Sequence, residues 1–113
     1  MGSTTLIRYL NDRFRSTFQG GQVVLTTGIR SLPQEEITDI LSKVSNFNDF
    51  NSSNDSYNER DFGNFKYHNK QIFWKIDYYD KEYEYASEDP ADITKTNRVL
   101  TIMLADEYWV HTR

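Results

Sequence analysis

The sequence predicts an α+β fold, in which an antiparallel β-meander has helices packed on one face. Three observations lead to this fold class. Apolar residues recur at three- and four-residue spacings in two separate segments, which is the spacing of one helix face. From Phe62 onward apolar side chains alternate along the chain, as in strands. Finally, 15% of the 113 residues are aromatic, so a few large rings can fill a small core. A chain of this length has room for a single domain, residues 1–113.

The first helix is predicted over residues 3–18. Its apolar stripe consists of Leu6, Ile7, Leu10, Phe14 and Phe18, and the pair Gly20-Gly21 ends it. The following segment, residues 22–27, is short and rich in β-branched residues, which favours a buried strand.

The second helix is predicted over residues 32–46. Ser31 and Gln34 have the spacing of a capping box, and Glu35 and Glu36 suit the positive end of the helix dipole. Residues 46–60 contain five asparagines and few aliphatic side chains, so they are predicted to form a loop.

The meander is predicted over residues 62–86. A bend at Gly63 would send Phe62 and Phe65 into the core, and a turn near His68 would join the first two strands. The third strand would be the segment "EYEYA" at residues 82–86. Strand alternation would then place Glu82 and Glu84 on one face and Tyr83 and Tyr85 on the other.

A last helix is predicted over residues 92–108. Asp89-Pro90 and Asp92 resemble a helix start. The apolar residues that follow, Val99, Leu100, Ile102, Met103 and Leu104, would cover a wide arc of one helix.

The residues that could carry out chemistry are few. The chain has no cysteine, and its two histidines, His68 and His111, lack neighbours that would make a metal pair or a catalytic base. The tripeptide Asp61-Phe62-Gly63 occurs in protein kinases, but the glycine-rich loop, strand lysine and catalytic loop of a kinase are absent. We therefore expect no enzyme activity and no catalytic, cofactor-binding or metal-binding residues.

The charge is negative and unevenly placed. The net charge is −4, of which residues 1–45 contribute +1 and residues 46–113 contribute −5. An acidic surface opposes nucleic-acid binding, so no direct contact with nucleic acid is expected. The sequence shows no secretory signal and no apolar run long enough to cross a bilayer, so we expect a cytoplasmic protein without membrane contact.

One segment is unusually acidic and rich in tyrosine. Residues 77–92 contain seven acidic residues, one lysine and four tyrosines. They are interpreted either as a solvated edge strand, whose charges prevent aggregation, or as a surface that binds a basic partner. In the second interpretation the partner-binding residues are Asp77, Tyr79, Asp80, Glu82, Glu84, Glu88 and Asp89.

Several segments resemble a small bacterial family of unknown function. The segments are "DFGNF", "IFWKIDYYD" and "DPADITKTNRVLTIMLADEY", together with "LTTGIRSLPQEEITDIL", and the likeness covers roughly residues 24–108. This family is found mainly in proteobacteria, often in plasmid or phage-derived neighbourhoods. The resemblance implies a complete single-domain fold and a mobile-element setting, and it transfers no catalytic residue.

The functional hypothesis follows from this setting. Small acidic proteins of mobile elements often bind and block a host machine, as anti-CRISPR proteins do, and this step is an analogy. The hypothesis is a non-enzymatic inhibitor of a host protein or ribonucleoprotein with a basic surface. One alternative is a small ligand-binding or hydrolytic domain with a pocket between sheet and helices, involving Asp61, Lys75 or Asp77. Another is a structural homodimer that pairs through an edge strand or through residues 108–113.

Overall fold

The structure, a computed structural model, describes residues 3–108. Its elements are α1 (Ser3–Thr17), β1 (Gln22–Leu25), α2 (Thr27–Arg30), α3 (Gln34–Ser45), β2 (Phe62–Tyr67), β3 (Lys70–Tyr79), β4 (Asn97–Leu104) and a closing 3₁₀ helix (Ala105–Glu107). The α+β prediction is confirmed. None of the helices in the described range is long and apolar enough to cross a membrane.

The four strands form one mixed sheet in the order β1-β4-β3-β2. Strands β2, β3 and β4 are antiparallel neighbours, so a meander exists, but its third strand is β4. Strand β1 lies parallel to β4 at the other edge, with Val23 opposite Leu100. The predicted antiparallel meander is therefore present only in part, because β1 makes the whole sheet mixed.

The core lies between one face of the sheet and the helices. Trp74 on β3 and Ile102 on β4 are opposite each other in the sheet and fully buried, and Phe14 of α1 packs in the same cluster. The other fully buried members of the cluster come from both layers: Ile29, Ile40, Val44, Ile72 and Leu100. Burying a large aliphatic or aromatic side chain contributes about 1.5–3 kcal/mol, so this layer dominates the stability of the fold.

Gly63 is a strand residue of β2 and does not form the predicted bend. A Cβ atom at this position would lie 2.6 Å from Nε1 of Trp74, its opposite neighbour on β3. Gly63 therefore gives the indole ring its space. The core prediction holds for Phe65 and is wrong for Phe62, whose ring packs against Phe73 on the opposite face of the sheet.

The helix predicted over residues 92–108 is wrong. Residues 97–104 form β4, which lies between β1 and β3 in the sheet. Thr101, Ile102 and Met103 are consecutive and all buried, because a central strand is covered on both faces. A continuous apolar run of this kind fits a buried strand as well as a helix. Here the segment is a strand because it pairs with both β1 and β3.

The strand predicted over residues 82–86 is also wrong. Residues 80–96 form a connection between β3 and β4, which we call the acidic loop, and its one β-bridge joins Ala86 to Tyr79. The carboxylate of Asp80 accepts a hydrogen bond from the backbone N–H of Glu84 at 2.9 Å, which closes a turn. Tyr83 has a positive φ of 58°, outside the strand region.

The second predicted helix begins later than expected. α3 starts at Gln34 after Pro33, and Ser31 ends the short helix α2 with its hydroxyl donating to the carbonyl of Thr27 at 2.7 Å. The predicted capping box does not form, because α2 already uses Ser31. The acidic first turn, with Glu35 and Glu36, is present as predicted.

Candidate partner-binding surface

The first part of the acidic loop is fixed to the start of β4 by polar contacts. The side-chain amide of Asn97 donates to the backbone carbonyls of Asp80 and Lys81, at 3.2 and 3.1 Å. The Nζ of Lys81 in turn donates to the carbonyl of Thr96 at 3.3 Å. These bonds join this part of the loop to the start of β4.

The returning part of the loop is held around Thr96. The hydroxyls of Thr96 and Ser87 lie 2.7 Å apart, and the Thr96 hydroxyl donates to the carbonyl of Asp89 at 2.8 Å. The backbone N–H of Ser87 donates to the carbonyl of Tyr78 at 3.0 Å, which ties the loop to β3. Both parts of the loop are therefore anchored to the sheet, although the loop has no regular secondary structure.

The turn of the loop faces solvent. Glu82, Tyr83, Glu84 and Tyr85 are all exposed, Tyr83 at 46% and Tyr85 at 72% of its surface. Within residues 3–108, the carboxylates of Glu82 and Glu84 make no hydrogen bond or ion pair. The prediction that the glutamates and tyrosines occupy opposite faces is wrong, because the turn exposes all four together.

Two further predicted residues support this turn. The ring of Tyr79, at the end of β3, lies 6.1 Å from the ring of Tyr83. Asp80 shapes the turn through the bond to Glu84 described above. The structure therefore brings together four of the predicted residues: Tyr79, Asp80, Glu82 and Glu84.

The remaining three predicted residues have other partners. Asp77 lies on β3 and accepts a hydrogen bond from the Nζ of Lys75 at 2.7 Å. Glu88 pairs with Lys95 at 3.3 Å, with both side chains largely exposed. Asp89 accepts a hydrogen bond from the backbone N–H of Ala91 at 3.1 Å. Their carboxylates are less available to a partner than those of Glu82 and Glu84.

A buried polar network that the sequence interpretation missed lies under α1. The Nε of Arg98 on β4 donates to Oδ1 of Asn11 at 2.8 Å, and both side chains are almost fully buried. The amide of Asn11 donates to the hydroxyl of Tyr78 at 2.8 Å, and this hydroxyl donates to Oε1 of Glu59 at 2.8 Å. Burial raises the pKa of Tyr78 well above its ordinary value, so the hydroxyl stays protonated.

One sequence signal pointed to this network. Arg98 stands two residues before Leu100 and four before Ile102, so strand alternation places a guanidinium on the face that fills the core. Arginine on a core face needs a polar partner. The partner itself, Asn11, is 87 positions away and has no local signature.

A cavity of about 330 Å³ lies beside β3, where pairing with β2 has ended at Lys75. Its lining residues are Asp61, Ile76, Asp77, Tyr78, Tyr79 and Ala86. Burial, and then the nearby carboxylate of Glu59, raise the pKa of Asp61 above its ordinary value. This cavity lies at a strand edge, whereas the ligand-binding alternative placed its pocket between sheet and helices.

No metal centre is formed by the described part of the chain, where no three histidine, aspartate or glutamate side chains gather closely enough to hold an ion. The C-terminal segment proposed for homodimer contact lies outside residues 3–108 except for Tyr108, and so does His111.

Together, the fold and this surface define a small α+β domain that displays an acidic, tyrosine-rich loop. The chain belongs to the family described as "Protein of unknown function (DUF3768)", whose model matches residues 25–107. The match begins in β1 and leaves out α1. No curated protein and no solved structure matches the chain.

Proposed function

We propose that this protein is a non-enzymatic binding protein whose acidic loop contacts a basic surface on a partner protein. The proposal rests on one observation: some polar groups of the acidic loop are bonded to the sheet, whereas two of its carboxylates are exposed. Asn97, Thr96 and Ser87 bond the inner groups of the loop to the sheet, while the exposed carboxylates of Glu82 and Glu84 have no partner among residues 3–108.

The anchored conformation favours binding for an energetic reason. Ordering a flexible loop on association costs about 0.5–1.5 kcal/mol for each immobilised side chain, and a loop already fixed avoids part of this cost. Loops longer than about 12–15 residues without secondary structure are uncommon in compact domains and are usually functional or disordered. The acidic loop is long but has the anchors of an ordered segment.

The exposed side chains suit a protein partner. Tyrosine offers a large, rigid contact area with one polar end, and it is enriched at protein interfaces. Tyr83 and Tyr85 supply such area, and Glu82 and Glu84 supply negative charge beside it. Complementary charge increases the association rate and excludes partners of the same sign.

The class of partner follows from the setting implied by the family resemblance. In plasmid- or phage-derived neighbourhoods, a small acidic protein can block a host machine that holds nucleic acid in a basic groove. We therefore propose inhibition of a host protein or ribonucleoprotein that handles nucleic acid, in the manner of anti-CRISPR proteins. The carboxylates of the acidic loop would occupy positions that phosphates otherwise occupy.

A pull-down from host lysate tests this proposal. Three immobilised proteins are compared: the native chain, the loop variant Glu82→Gln/Glu84→Gln, and the control variant Glu35→Gln/Asp49→Asn. The control removes two exposed charges outside the acidic loop, so net charge is matched. We expect the native chain and the control to capture the same nucleic-acid-handling protein after nuclease treatment, and the loop variant to lose it. Equal capture by all three would refute the proposal.

The Asp61 cavity supports a second candidate, a small ligand-binding domain. A carboxyl group with a raised pKa beside a cavity is a common feature of functional sites. Asp61 would there bind a ligand amine or share a proton with a ligand. A thermal-shift screen of amine-bearing compounds tests this, with Asp61→Asn as the comparison. A compound that stabilises both proteins equally would exclude Asp61 as its contact.

A further inference from the structure

Arg98 is a buried cation whose hydrogen-bond partners within residues 3–108 are neutral. Its side chain is 3% exposed, and its Nη2 donates to the carbonyl of Pro90 at 2.6 Å in addition to the Nε bond with Asn11. Its guanidinium lies 5.2 Å from the ring centre of Tyr78. Within residues 3–108, no carboxylate lies at ion-pair distance from Arg98.

Arg15, the other buried arginine in the described part of the chain, shows the contrast. Arg15, 5% exposed, forms an ion pair with Asp12 at 3.1 Å. A buried charge is costly unless a counter-charge compensates it. Burial lowers the pKa of Arg98, yet a guanidinium stays protonated in proteins, so its charge persists. The charge of the Glu59 carboxylate raises the pKa of Arg98, but within residues 3–108 Arg98 has no direct ion pair like that of Arg15 with Asp12.

A cavity of about 420 Å³ opens onto Arg98, between α1 and the returning part of the acidic loop. Leu10 and Phe14 of α1 form an apolar part of its wall. Ile93 of the loop adds a large apolar side chain that is 63% exposed. Arg13 contributes a second cation, and it also has no ion pair within the described residues. The rest of the lining consists of Thr17, Gln19 and Gly20. Within the described residues, the cavity thus combines two guanidinium groups that form no ion pair with a partly apolar wall, in a chain of net charge −4.

We propose that this cavity binds a small apolar monocarboxylic acid. The carboxylate would bind between Arg98 and Arg13, and the apolar body would pack against Leu10, Phe14 and Ile93. The planar guanidinium matches a carboxylate with two parallel hydrogen bonds. The cavity volume falls within the usual range for small-molecule sites, about 300–1,000 Å³. A phosphate dianion fits less well, because it has no apolar body to pack against Leu10, Phe14 and Ile93.

This site is independent of the proposed function. It uses residues of α1, Arg98 of β4 and Ile93 in the returning part of the loop, whereas partner binding uses the turn at Glu82 and Glu84. Its test needs the isolated chain alone, so failure of one proposal leaves the other standing.

Isothermal titration of the full chain with octanoate tests the assignment, and octanamide and inorganic phosphate serve as comparisons. We expect octanoate to bind, and octanamide and phosphate to bind at least about tenfold more weakly, a difference of about 1.4 kcal/mol. Octanamide lacks the charge, and phosphate lacks the apolar body.

Two exposed substitutions localise the binding without disturbing the core. Arg13→Gln is expected to weaken octanoate binding about tenfold, because it removes one of the two cations. Ile93→Glu is expected to abolish it by adding negative charge to the cavity wall. Lys66→Gln, on β2, is the control and should leave the affinity unchanged. The proposal is overturned if octanoate binds no better than octanamide or phosphate, or if Arg13→Gln and Ile93→Glu both bind octanoate as the native chain does.

Discussion

Oδ1 of Asn11 on α1 accepts a hydrogen bond from Nε of Arg98 on β4 at 2.8 Å, which joins the first helix to the centre of the sheet. The amide nitrogen of Asn11 donates hydrogen bonds to the Tyr78 hydroxyl and to the backbone carbonyl of Glu59, at 2.8 and 3.0 Å. One side chain therefore satisfies groups from three other segments. It also orients Arg98 toward the cavity that we assign to a carboxylic acid.

Asn11→Ala should lower the free energy of unfolding by about 3 kcal/mol. The substitution leaves Nε of Arg98 without its acceptor, and an unsatisfied buried polar group costs about 1–3 kcal/mol, or more when charged. Urea unfolding followed by circular dichroism measures the change. Ser16→Ala, at an exposed position of the same helix, should change stability by less than about 0.5 kcal/mol. Similar losses in the two variants would contradict the role of Asn11.

Gly63→Ala should destabilise the fold by about 1–3 kcal/mol, the usual cost of overpacking a core. The added Cβ would meet Nε1, Cε2 and Cζ2 of Trp74 at 2.6–2.7 Å. Thermal unfolding measures this cost in the native background and in Trp74→Leu, which removes the indole ring. We expect a smaller cost in the second background. An unchanged cost there would show that the indole is not the cause.

Tyr83→Gly should stabilise the isolated protein by about 0.5–1 kcal/mol and weaken partner binding. Tyr83 has a positive φ of 58°, a conformation that costs an L-residue roughly 1–2 kcal/mol and glycine little. Tyr85→Gly is the matched control, because Tyr85 is exposed without a positive φ. Chemical denaturation compares the two. Backbone strain at Tyr83 is refuted if the free energy of unfolding of Tyr83→Gly is no higher than that of Tyr85→Gly.

Asp61→Asn should raise the melting temperature at pH 7, and the gain should shrink steadily as the pH falls toward 3.5. The folded-state pKa of Asp61 lies above the ordinary value of 3.8, so ionisation of this carboxyl opposes folding at pH values above its folded pKa. The opposition decreases as the pH falls through the folded-state pKa, and it is lost well below pH 3.8, where the group is protonated in both states. Melting curves from pH 3.5 to 7.5 test this, with Glu84→Gln as an exposed control. A gain that is constant with pH would contradict the assignment.

Much of the fold could be predicted because its signals are local. The helical stripe of Phe14 and its neighbours, and the alternation of Ile72, Trp74 and Ile76, each belong to one element and fix the face that it buries. These periodicities were sufficient for the α+β class and for helices on one face of the sheet.

The errors arose in segments whose secondary structure depends on contacts with residues far away in the sequence. The segment with Leu100 and Ile102 is apolar enough for a helix, and only pairing with β1 and β3 makes it a strand. Residues 82–86 alternate like a strand, but Asp80 closes a turn there and Asn97 holds it. The acidic composition of the site was visible in the sequence, whereas the joint exposure of glutamates and tyrosines depends on these anchors.

The salt concentration at which the captured partner elutes tests the central claim most directly. The partner is loaded onto the immobilised native chain, onto the loop variant Glu82→Gln/Glu84→Gln, and onto the charge-matched control Glu35→Gln/Asp49→Asn. If the acidic loop is the binding surface, the native chain and the control should release the partner at the same salt concentration, and the loop variant well below it. Release of all three at one concentration would contradict the account.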